Sequence, residues 1–165
     1  MSGLGDPLHN YIIMKKTFIV LLFCSITTTL IAQQENPVYN KQLADSLGAD
    51  DYGMKRYVFV ILKSGTNKTD NKTVLDSLFR GHMANINRLA ETGKLVVAGP
   101  LGKNDKSYRG IFILNAKTLD EANALLMTDP AIKEHLFDVE IIEWYGSAAL
   151  PIYLKMHQRI EKKKP

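Results

Sequence analysis

At 165 residues, with 45% hydrophobic and 23% charged residues and a formal net charge of +4, the chain has material for one domain whose core needs no metal or disulfide staple. Much of the positive charge is terminal, at Lys15 and Lys16 and at Lys162, Lys163 and Lys164; no basic stripe interleaved with aromatics runs between them, which argues against a nucleic-acid partner. The single cysteine, Cys24, falls in an N-terminal apolar run, so the rest of the chain has no disulfide, thiol nucleophile or cysteine-type zinc site to offer.

In chain order, residues 1–13 show no leader character and read as an extension upstream of a start at Met14. Residues 14–32 ("MKKTFIVLLFCSITTTLIA") open on two lysines, continue through an apolar run and end on Ala32, the arrangement of a secretory signal peptide. The run is shorter than the ~20 residues of a membrane span. The expectation is an exported protein, periplasmic or secreted, with no stable membrane span after cleavage. Residues 33–54 are polar and loosely patterned and read as a flexible linker, with a helical turn around 42–47.

The folded domain is expected over 55–150. "RYVFVILK" is a continuous apolar, β-branched and aromatic run of strand length, and "SGTNKTDNKT" is a turn-rich break. A helix follows over 74–92, with Leu75, Leu78, Phe79, His82, Ile86 and Leu89 on one stripe and Gly93 as C-cap. "KLVVAG" is a second strand ended by Gly99 and Pro100, and "YRGIFILNA" a third. Thr118 and Glu121 have capping-box spacing at the head of a helix that buries Ala122, Leu125 and Leu126 and stops near Thr128, ahead of Pro130. "FDVEIIEW" alternates as a half-buried fourth strand, and residues 151–165 form an amphipathic C-terminal helix.

The order β-α-β-β-α-β predicts a ferredoxin-like α+β fold, a four-stranded antiparallel sheet with both helices on one face. Ile142, Trp144 and Tyr145 suggest that the other face is not fully wet, so a homodimer through the open sheet face is expected.

His82 sits in the apolar stripe of its helix. It is either a core histidine with both nitrogens satisfied, or one that opens on a cleft and works as general acid or base beside a carboxylate. Asp129 supplies the carboxylate; followed by proline it is also an N-cap, and its two oxygens allow both roles. Asn85, one turn beyond His82, can orient a ligand or the imidazole, or simply mark a polar boundary. Gly99 can admit a ligand close to the backbone or serve a tight turn, and Arg109 can hold an anionic substrate group or lie on the surface. His135 and His157 have no metal-ligand spacing with His82, and no HExxH, GxSxG, P-loop or dinucleotide motif occurs, so neither metal nor organic cofactor is expected.

With the histidine-bearing helix, "GKLVVAGP", "YRGIFIL" and "TDPAI" in this order, the chain resembles the YciI-like (YCII-related) domain family, and most of all exported members ending in "WYGSAAL". The resemblance covers residues 55–150. It implies a dimeric α+β barrel with a histidine–aspartate pair, here His82 and Asp129, in a small cleft; some relatives are linked to the breakdown of substituted aromatic compounds. The leader and the C-terminal segment depart from that pattern. Three functions stay open: a cofactor-independent hydrolase, lyase or isomerase that shuttles a proton through the pair; a non-catalytic dimeric module that binds a small ligand; and a structural role in which the C-terminal helix meets a partner.

Overall fold

Strand β1 (Met54–Ser64) alternates so that Val58, Val60 and Leu62 are buried on one side while Phe59 and Ile61 stay half-buried on the other. It pairs antiparallel with β3 (Tyr108–Leu114) on one edge and β4 (Phe137–Ser147) on the other, and β2 (Leu95–Pro100) lies beyond β3, giving the order β2-β3-β1-β4. The computed structural model describes residues 36–162; the expected extension (1–13) and leader (14–32) lie outside them. Among the described residues no helix is long and apolar enough to cross a membrane.

Helix α2 (Lys72–Glu91) links β1 to β2, and α3 (Leu119–Leu126) with the one-turn α4 (Pro130–Lys133) links β3 to β4. Leu89 of α2, Ala122 and Leu126 of α3 and Ile132 of α4 pack on Val58, Val60, Leu62, Phe112 and Leu114 in one core. Both connecting helices therefore cover one face of a four-stranded antiparallel sheet, the ferredoxin-like arrangement. Helix α1 (Lys41–Leu47) precedes β1, capped by the Asn40 side chain and by Gly48 at φ 69°, so the segment read as linker carries a defined helix.

Element ends move for local reasons. Helix α2 begins at Lys72 because the Asn71 carboxamide accepts from the Thr73 and Val74 amides at 3.0 and 3.3 Å. Helix α3 ends at Leu126, and Asp129 starts a fresh turn three residues on. The Thr118 hydroxyl caps Glu121 N at 3.1 Å, while the Glu121 carboxylate reaches back to Lys117 N at 2.9 Å.

The second face of the sheet has no layer over it from these helices. Register aligns Phe59 with Ile113 and Ile142, Ile61 with Ile111, and Val97 with Ile113, and Ile142 is 45% exposed. At one corner of this face Tyr57 is buried beside Trp144, ring centroids 5.7 Å apart, and donates its hydroxyl to Ser147 O at 2.9 Å. After β4 a 3-10 turn (Leu150–Ile152) leads into α5 (Tyr153–Ile160), whose first residue donates its hydroxyl to Val96 O at 2.5 Å. Val96 is the bulged residue of β2.

Candidate active site

Helix α2 delivers His82, and the residue before it sets how near its partner comes. A Cβ at Gly81 would stand 2.8 Å from Pro130 Cγ, so glycine there lets α2 close on the start of α4. Asp129, the N-cap of α4, is fully buried. Its Oδ1 accepts the Ala131 amide at 2.9 Å and its Oδ2 lies 2.6 Å from His82 Nδ1. Capping and pairing thus coexist on one side chain. An ionised carboxylate only accepts, so when Asp129 is ionised the shared proton lies on Nδ1, and a neutral imidazole then carries its lone pair on Nε2.

His82 is 9% exposed, and its ring stacks on Phe112 (centroids 5.9 Å apart, planes at 26°) and leans on Phe137 (5.2 Å). Among the described residues no buried side-chain nitrogen or oxygen lacks a partner. Since Nε2 has no protein partner there, it opens on the cleft that His82 lines. That cleft has a volume of about 1550 Å³. Leu75, Phe79 and Ile86 of α2 form one wall and Phe112 part of the floor, while Tyr153, Leu154 and His157 of α5 close another side. Burial raises the pKa of the Tyr153 hydroxyl above its ordinary value. The apolar stripe of α2 is therefore split: Leu89 enters the core, whereas Phe79 is 46% exposed toward the cleft.

The other expected site residues lie as follows. Gly99 and Arg109 line the cleft. Nothing stands within 4 Å of a Cβ built at Gly99, so the protein itself does not demand glycine there. Arg109 donates Nε–H to Ser64 Oγ at 2.6 Å. Asn85 is buried but does not line the cleft. Its Oδ1 accepts from Arg88 at 2.6 Å; Arg88 also donates to Thr128 Oγ1 at 2.7 Å, and the Thr128 hydroxyl donates to Leu125 O at 2.6 Å. This ties α2 to the residue before Asp129. Among the described residues no three histidine, cysteine or acidic side chains converge as metal ligands.

The aromatic bed of His82, the Arg88–Thr128 tie and the α5 wall have no signature in residue spacing. Gly81 did leave a signal: a glycine inside a strong helical pattern costs helix stability and marks a close approach.

The family model described as the YCII-related domain matches residues 57–145. Among solved structures, the chain is similar to 5-chloro-2-hydroxyhydroquinone dehydrochlorinase from Burkholderia phenoliruptrix AC1100, in complex with 2,5-dihydroxybenzoquinone. The identity is 26%, the TM-score is 0.36, and the match covers 53% of this chain and 90% of that one. No curated protein matches.

Proposed function

The chain belongs to the YCII-related domain family, and from that premise we propose that it is a small-molecule enzyme in which His82 is the general acid and base and Asp129 its positioning partner. One observation carries this reading: the 2.6 Å contact between His82 Nδ1 and a fully buried carboxylate oxygen. With Nδ1 protonated and held, Nε2 takes a proton from a substrate C–H, O–H or bound water. The imidazolium that forms is balanced by Asp129, and the proton returns to a leaving group or to a second atom of the substrate. Such transfer supports elimination, isomerisation or hydrolysis and is worth roughly 10²–10⁴-fold. Asp129 cannot swing away, because its other oxygen is engaged by Ala131 N–H.

The working unit in this reading is an exported homodimer that buries the apolar strand face containing Phe59, Ile113 and Ile142. Ile142→Glu is expected to shift sedimentation from dimer to monomer, and N-terminal sequencing of the exported protein is expected to begin at Gln33. For the chemistry, wild type and His82→Gln are compared on a panel of small hydroxylated aromatic compounds. Turnover by wild type alone is the expected result. Equal turnover by both would sink the acid–base role, and saturable binding with the compound recovered unchanged would favour a binding module.

A further inference from the structure

The cleft is not uniformly apolar. Two cationic side chains that line it are tied to consecutive residues at the end of β1: Arg109 Nε–H donates to Ser64 Oγ and Lys68 Nζ donates to Gly65 O, each at 2.6 Å. Among the described residues neither cation forms an ion pair. The guanidinium keeps both terminal nitrogens and the ammonium its remaining N–H groups for a ligand. The backbone that anchors Lys68 is itself fixed, since a Cβ at Gly65 would stand 2.0 Å from His135 O and Gly65 N–H donates to Leu136 O at 2.9 Å. Two like charges gathered at one end of a cleft repel each other until an anion joins them.

From this end the floor runs along β3 to His82. Gly110 leaves the strand bare, because a side chain there would meet Gly99 O at 2.9 Å, and Phe112 then lies under the imidazole. Arg109 is the extra residue of a bulge, because its neighbours Tyr108 and Gly110 pair with the consecutive residues Lys63 and Leu62; it thus shares the cleft with Phe112 instead of alternating to the other face, and lies at most about 10 Å from it along β3.

Resting on the reading of this cleft as the site of chemistry, we propose that it takes an amphipathic anion. A ring-sized apolar body lies against Phe112 and Phe137 beside His82, and a carboxylate-type oxyanion no more than about 10 Å away along the strand is held by Arg109 and Lys68.

The test uses 4-phenylbutyrate and its neutral analogue 4-phenylbutan-1-ol, each titrated into the full-length folded domain while the His82 ring signals are followed by NMR. Both compounds are expected to move those signals, with the acid binding roughly tenfold tighter, the scale of a charge-assisted contact. In the Lys68→Gln/Arg109→Gln double variant that advantage is expected to vanish while the alcohol binds as before, which also reports that the variant is folded. Lys68→Arg is expected to retain it. Equal affinity for acid and alcohol in wild type, or an advantage that survives in the double variant, would overturn the anion site and leave the proposed chemistry standing. If neither compound moves the His82 signals, both proposals fall.

Discussion

Among the described residues two histidine–aspartate pairs are built from the same functional groups. His82 and Asp129 come from separate helices, meet at 2.6 Å, and have side chains 11% and 0% exposed. His135 and Asp138 are three residues apart, meet at 3.3 Å, and are 69% and 40% exposed. Around the second pair water competes for every lone pair and screens the charges, so the contact is worth about 0–1 kcal/mol at most. Around the first, water is kept off Asp129, one oxygen is fixed by an amide and the ring is bedded on two phenylalanines. Residue type is identical in the two places; enclosure and support separate a contact with consequences from one without.

The largest way to break this comparison is Asp129→Ala. It removes a helix cap worth about 1 kcal/mol and leaves a mostly buried imidazole N–H without its acceptor, at about 1–3 kcal/mol; urea denaturation is expected to show a loss of roughly 2–4 kcal/mol. Asp129→Asn sharpens it chemically. A carboxamide can turn its N–H toward Nδ1, and ¹⁵N spectra are expected to show the ring proton moving to Nε2. The His135 signals should ignore Asp138→Asn.

Gly81→Ala tests the support. Alanine gains about 1 kcal/mol of helix propensity, but its methyl meets the rigid ring of Pro130 and overpacking costs about 1–3 kcal/mol. A lower Tm is expected; a higher one would mean that α2 does not need to approach α4 so closely.

A smaller effect concerns the half-buried Glu121. The Lys117 amide, and then Lys94, hold its pKa below the usual 4.5. The stability it contributes is present above that value and is lost as pH falls through the depressed folded value. Glu121→Gln is therefore expected to lower stability slightly at neutral pH and to flatten the acid limb below about pH 4.5, where variant and wild type converge. Smallest of all, Asp138→Ala should stay within about 0.5 kcal/mol of wild type in the same urea experiment.

How much of this was legible depends on the range of the cause. Alternation in "FDVEIIEW" and the stripe from Leu75 to Leu89 are local records of which side is buried, and they yield the strands, the helices and the fold class. Asn71 as a cap is equally local, yet it was hidden among several turn residues that could each have served. The pair is different. His82 and Asp129 lie 47 residues apart, and no spacing rule states that the middle of one helix meets the cap of another; the family's motif order pointed to them together. Polarity at a helix boundary does not say which way the Asn85 side chain turns; its Oδ1 accepts from Arg88, a contact between residues three apart that spacing allows without requiring. Phe79 looks like core by periodicity, because a cleft wall and a packed interior select the same apolar residues. Helix α5 meets the sheet where one hydroxyl reaches the carbonyl of a bulged strand residue, a contact between parts of the chain that share no pattern.

The pairing of β1 with β4 reaches from Met54 against Ser147 to Ser64 against Phe137. The strand that anchors the sheet thus finds one of its two neighbours only after nearly the whole domain has been synthesised. Contacts so distant along the chain make folding slow to begin, because loop closure must come first. As the polypeptide emerges, a stretch such as "RYVFVILK" waits with an open edge and an apolar surface, a hazard for association with other nascent chains. A chaperone that shields this one strand until Trp144 and its neighbours arrive is expected to raise the yield of folded protein.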